Sequence, residues 1–185
     1  MIFTPRITAI VAAIVFFTVL LQLSFFSLTP ILGSVINVIP VMVIAIGLLG
    51  GAVPGAVAGF SAGLLLDAAV GSTIGVASLA LMSAGYLAGR WREGYDVVSF
   101  LVPPAVTAVL VGVYGVVLAG LQLMLGVENP VDPFFFSEIL VQALLGGLAA
   151  LAVFPLIRRI LRPALVEDRL TARRPGARGM LGASR

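Results

Sequence analysis

The segment Gly59-Phe60-Ser61-Ala62-Gly63-Leu64-Leu65-Leu66-Asp67-Ala68-Ala69-Val70-Gly71-Ser72-Thr73-Ile74-Gly75 sets a carboxylate into a row of glycines. Upstream, the same four-residue spacing gives Gly47, Gly51 and Gly55. Residues four apart lie along one ridge of a helix, and a ridge of glycines lets a second helix approach closely in lipid. Asp67 is also the single charged side chain between Arg6 and Arg90. A charge at hydrocarbon depth costs roughly 2.5 to 3.5 kcal/mol on insertion scales, so the acid is expected to face protein and is a candidate functional residue.

The rest of the chain agrees with a lipid setting. It has 185 residues, of which 61% are hydrophobic and 10% charged, with a mean hydropathy of +1.19. That much apolar surface cannot be hidden in one aqueous core, so the composition is that of an integral membrane protein. Cysteine and histidine are both absent. A disulfide framework, a thiolate nucleophile, a histidine general base and the commonest transition-metal ligands are thereby excluded. The N-terminus has Arg6 and then a long apolar run without a small-residue cleavage site, which is expected to be a retained first span and not a signal peptide.

A membrane-crossing helix needs about 20 mostly apolar residues. By that measure six spans are expected, at about 7–26, 32–49, 52–69, 73–89, 98–125 and 136–161, within a transmembrane domain of residues 1–162. Asn37 and Pro40 weaken the second span, Gly50-Gly51 separates it from the third, and Pro155 is expected to kink the sixth near its end. Residues 163–185 form an arginine-rich tail expected to be disordered. With six spans, Arg6, Arg90, Arg92 and the cluster from Arg158 to Arg185 fall on one side, and the positive-inside rule makes that side cytoplasmic. A five-span reading would split the arginines between the two sides. The expected protein is therefore a multi-pass protein with both termini cytoplasmic, in an all-α bundle of six helices, and Asp67 lies toward the non-cytoplasmic interface.

Three constellations invite a functional reading. The glycine row with Asp67 serves either packing within the chain, with Asp67 capped by Ser72, Thr73 or free amides at the start of span four, or a groove for another protein's helix. Glu138, Gln142, Gly146 and Ala150 form a second four-residue stripe. Its acid is either an interfacial carboxylate favoured by the dipole of span six or part of a polar substrate pocket with Asn37, Asp67 and Gln142. The basic tail suits topology and anionic lipid, worth roughly 1 kcal/mol per basic residue near the surface, or an acidic cytoplasmic partner. Trp91, Tyr86 and Tyr95 read as an aromatic belt. The sequence contains neither a Walker loop nor a Gly-x-Ser-Gly motif with a histidine, and no paired acidic motif of the phospholipid synthase kind, so no enzymatic activity is expected.

The spacing Gly59-Phe60, Gly63, Asp67, Gly71-Ser72 and Gly75 resembles the signature of the rod shape-determining protein MreD family. Pro40 and Gly85-Tyr86-Leu87 also sit where that family has a proline in span two and a tyrosine-leucine pair ending span four. The resemblance implies a non-enzymatic component of the cell-elongation machinery in the bacterial inner membrane. MreD-like proteins are thought to bind MreC, a single-span protein with a periplasmic coiled coil. They would thereby help couple MreB filaments to peptidoglycan synthesis by the glycosyltransferase RodA and its transpeptidase. The resemblance also implies a fold similar to the S components of energy-coupling-factor transporters, which keeps a small-molecule or lipid-precursor carrier open as an alternative. The residues expected to form the partner or helix-packing interface are Pro40, Gly51, Gly55, Gly59, Phe60, Gly63, Asp67, Gly71 and Gly75. Homo-oligomerisation through the same ridges is a further alternative; neither a cofactor, a metal nor a nucleic-acid partner is expected. The long arginine-rich tail departs from many relatives.

Overall fold

The computed structural model describes residues 5–24, 30–31, 34–35, 37–71, 73–94, 102–126 and 135–172. Among the described residues there are six helices: α1 (Pro5–Ser24), α2 (Val38–Gly50), α3 (Ala52–Val70), α4 (Val76–Gly94), α5 (Val102–Met124) and α6 (Phe135–Ala172). Between α1 and α2, β1 (Pro30–Ile31) and β2 (Ser34–Val35) pair antiparallel, with Pro30 opposite Val35. Helix α2 is the hub. It touches every other helix, and those five follow one another round it in the order α1, α3, α4, α5, α6, the α6–α1 joint being the slightest. Every residue from Ile39 to Leu48 is buried, which is why α2 is apolar on all sides. At 13 residues, or roughly 20 Å, α2 is too short to cross a bilayer alone.

Among the described residues, helices α3, α5 and α6 contain three stretches, Ala52–Val70, Val102–Met124 and Phe136–Arg159, that are long and apolar enough to cross a membrane. The helix ends depart from those expected from hydropathy. The second helix starts at Val38 and not near 32, because the Asn37 side chain accepts the Ile39 amide and Pro40 sits in the first turn, where a missing N–H costs nothing. The fourth starts at Val76 and runs to Gly94, so Arg90, Trp91, Arg92 and Glu93 form its last turn and not a polar link. Pro103 and Pro104 open α5 within its first turn.

Helix α6 continues through Pro155 and Pro163 to Ala172. Residues 163–172 are thus helical, where disorder was expected, and their alanine, leucine, glutamate and arginine content favours that state. The remaining tail, 173–185, lies outside the described residues, as do Ser72 and Tyr95.

Candidate functional site

The glycine row is filled from within the chain. Helices α3 and α4 run antiparallel, and a Cβ placed at Gly55 would meet Gly47 Cα at 2.8 Å and the backbone of Gly85. At Gly59 it would meet Met82 N at 2.9 Å, and at Gly63 the Ala77 carbonyl carbon at 2.7 Å and the backbone of Ser78. From the other side, a Cβ at Gly85 would meet Val43 Cγ1 at 2.8 Å, and one at Gly89 would strike Ala52 and Gly51. Backbones in contact over about three turns maximise dispersion where lipid supplies no hydrophobic drive between helices. Gly51, at the start of α3 with φ +104°, is buried, and Pro40 is buried in α2. Phe60 points the other way: it is 46% exposed and shares the outer stripe of α3 with Val53, Val57 and Leu64.

Gly71 and Gly75 do a different job. Gly71 closes α3 in the left-handed conformation (φ +70°, ψ +23°), donating its amide to the Asp67 carbonyl at 3.0 Å. Gly75 has φ +107° and precedes α4, its carbonyl accepting the Leu79 amide. A glycine here leaves α4 with no side-chain cap of its own. The cap comes from Asp67, which is 2% exposed: its Oδ2 accepts the Gly75 amide at 2.8 Å and faces the Ser78 hydroxyl at 3.4 Å. The carboxylate thus sits at the N-terminal end of α4, where free amides and the helix dipole favour negative charge. Of the alternatives read from sequence, a free amide at the start of span four, that of Gly75, is brought to Asp67, and Ser72 lies outside the described residues.

Other buried polar groups converge at this level. Tyr114 of α5, fully buried, lies within electrostatic reach of Asp67 and hydrogen-bonding reach of the Asn37 side chain. The buried Gln22 of α1 accepts the Val38 amide on its Oε1 at 2.9 Å, so it caps α2 together with Asn37. Glu138 instead lies exposed in the first turn of α6, and Gln142 is half-buried one turn further on. Their stripe packs on α5 farther along: Gly146 abuts Val111, and Gly147 abuts Ala108 and Pro104.

A second polar group of contacts holds the opposite end. The Arg92 guanidinium donates to the Leu49 carbonyl at the end of α2, and Glu93 Oε1 accepts the Ala52 amide at the start of α3 at 3.2 Å. Arg90 pairs with Glu93 Oε2 at 3.4 Å. A cation thus meets a helix C-terminus and an anion a helix N-terminus, each as the dipole prefers.

Gln22, Ser78, Tyr114, Arg92 and Glu93 were not singled out as site residues from the sequence. The readable signals were a glutamine near the end of an apolar span and a tyrosine in the middle of another. What such signals do not carry is the partner, which for Gln22 sits 16 residues away and for Glu93, among the charges after span four, 41.

No curated protein and no solved structure matches the chain. The family profile described as rod shape-determining protein MreD does match, over residues 4–163, and this takes in all six helices up to the emergence of the arginine-rich tail. The chain therefore belongs to the MreD family and has a role in determining rod shape.

Proposed function

We propose that the chain is a non-enzymatic, six-span scaffold of the cell-elongation machinery in the bacterial inner membrane. It binds MreC and so helps couple MreB to peptidoglycan synthesis by RodA and its transpeptidase. The family match over residues 4–163 carries this reading. Both termini are cytoplasmic: Arg90 and Arg92 stand at one end of the bundle, and Glu138 opens α6 on the return from α5. Anionic lipid attends the basic end.

The scaffold reading is supported by the way Asp67 is used. Its carboxylate is engaged by the Gly75 amide and the Ser78 hydroxyl, a structural assignment that favours a scaffold over a carrier. The packing also restricts where a partner helix docks. The glycine ridge is taken by α4, so the partner uses an outer face, and Phe60 is the signature residue that lies on one.

Co-purification of MreC from membranes tests both levels. Phe60→Ala combined with Val57→Ala should lower MreC recovery while the purified protein keeps its melting temperature. Full recovery with that variant would remove the α3 face as the docking surface, and no recovery with the unaltered chain would sink the scaffold reading itself.

A further inference from the structure

Helix α6 outlasts the bundle at its arginine end. A Cβ at Gly147 would stand 3.2 Å from the Pro104 carbonyl oxygen, so that residue is level with the first turn of α5. From there α6 runs on to Ala172, roughly 38 Å along its axis. Part of that length still crosses the membrane: the apolar stretch ends at Arg159, Ile157 is buried, and Arg158 and Arg159 are exposed. The segment from Ile160 to Ala172 lies beyond the hydrocarbon as about 20 Å of helix. Headgroups take up only about 5 to 7 Å of it. The tip therefore stands more than about 10 Å clear of the headgroups, past the roughly 8 Å Debye length of physiological salt.

The backbone fixes the posture of this arm. A helix laid on the membrane surface has to turn by about a right angle where it leaves the bilayer, which interrupts its hydrogen-bonded ladder. Helix α6 is unbroken from Phe135 to Ala172. A kink of about 20 to 30° at Pro163 shortens the rise only slightly. Pro163 also lacks an amide for the Arg159 carbonyl, but that carbonyl stands at the edge of the apolar stretch, where water can take it. Growth from an existing helix avoids the nucleation cost that a detached segment of this length would meet.

The arm carries charge outward. Arg158 and Arg159 stay at headgroup level, while from Ile160 on the sequence has six arginines against two acids, Glu167 and Asp168, and Arg173 and Arg174 follow directly on the helix tip. We infer that the end of α6 is a stalk that lifts an arginine-rich segment off the bilayer and presents it to an acidic protein surface in the cytoplasm. Anionic lipid is the competing ligand for arginine, and the stalk holds it out of reach. Carboxylates on a protein surface are the remaining partners that a guanidinium pairs with bidentately. The basic end thus divides into a lipid collar at Arg158 and Arg159 and a protein-directed tip. The inference rests on the cytoplasmic placement of the C-terminus proposed above and is independent of MreC binding.

The full chain in nanodiscs exposes the stalk whichever way it inserts. Fluorescent poly-L-glutamate serves as the acidic probe, at about 0.15 M salt. The unaltered chain should bind it equally in discs of phosphatidylcholine and in discs containing phosphatidylglycerol, and Arg173→Gln with Arg174→Gln should weaken binding several-fold in both. Leu165→Gly with Val166→Gly breaks the stalk and lets the arginines fall onto the disc. Binding should then drop several-fold with phosphatidylglycerol and hold with phosphatidylcholine. Absence of probe binding in both discs overturns the inference. So does a loss of binding by the unaltered chain on adding phosphatidylglycerol, which would make the arginines lipid ligands, or undiminished binding by the broken stalk there. Labelling of Ala172→Cys in spheroplasts by a membrane-impermeant maleimide would refute the cytoplasmic placement by itself, which keeps the two failures apart.

Discussion

Asp67 ties the end of one helix to the start of the next, and its two hydrogen-bonding groups are separable by mutation. Asp67→Leu leaves the Gly75 amide without an acceptor in a buried setting, a loss of about 1 to 3 kcal/mol. Asp67→Asn keeps an oxygen there and forfeits only the charge at the α4 dipole, so it should lose less. Thermal unfolding in detergent reads the order: Leu well below Asn, and Asn slightly below the unaltered chain. Equal melting temperatures for the two variants would mean that the carboxylate's hydrogen bond does not hold the turn. Glycines divide in the same way. Gly63→Ala drives a methyl into the Ser78 backbone, which cannot yield as a side chain would, with a cost at the upper part of the roughly 1 to 3 kcal/mol typical of overpacking. Gly71→Ala meets open space, yet its φ of +70° costs about 1 to 2 kcal/mol. The sequence already distinguished Asp67, since a lone acid among glycines has few explanations. It could not tell packing glycines from turn glycines, because one spacing of four runs through both kinds.

At the scale of elements, apolar run length located the helices, whereas their ends are set by side chains distant in sequence. Helix α4 continues five residues beyond the expected end because Arg92 and Glu93 have partners in the α2–α3 turn. A window of hydropathy sees only charges there, and reads a loop. The same contacts make a prediction. Glu93→Ala removes the acceptor of the Ala52 amide and the anion at the α3 N-terminus, for a loss of about 1 kcal/mol, whereas removing only the exposed ion pair through Arg90→Ala should cost less than 1 kcal/mol. Melting temperatures of the two variants decide between them: a drop confined to Glu93→Ala is expected, and a drop of the same size for Arg90→Ala would transfer the clamp to the ion pair. Helix α2 shows the complementary case. Its late start follows from Asn37 and Gln22 acting together, and only the Asn37 part of that cap is local enough to be read from the chain.

The arrangement of five helices around α2 has no counterpart in local sequence, because glycine ridges and apolar stripes state that a face packs without stating on what. The stripe Glu138, Gln142, Gly146 and Ala150 illustrates this. Its small residues were visible, but whether they met α2, α5 or a partner was decided by the fold, which places Gly146 on Val111 of α5. The α5–α6 pairing therefore tests the order of the ring. A Cβ at Gly112 would stand 3.9 Å from the Ala143 Cβ, inside the roughly 3.5 to 4.5 Å that a disulfide requires. In a chain without cysteine, Gly112→Cys with Ala143→Cys should close a bond under mild oxidation, seen as a faster band on a non-reducing gel and lost on reduction. Moving one residue along α6 turns the side chain by about 100°, and Leu144 is exposed, so Gly112→Cys with Leu144→Cys should stay open under the same conditions. Cross-linking by both pairs would show that α6 rotates freely against α5. Cross-linking by neither would place another helix between them and break the ring at that joint.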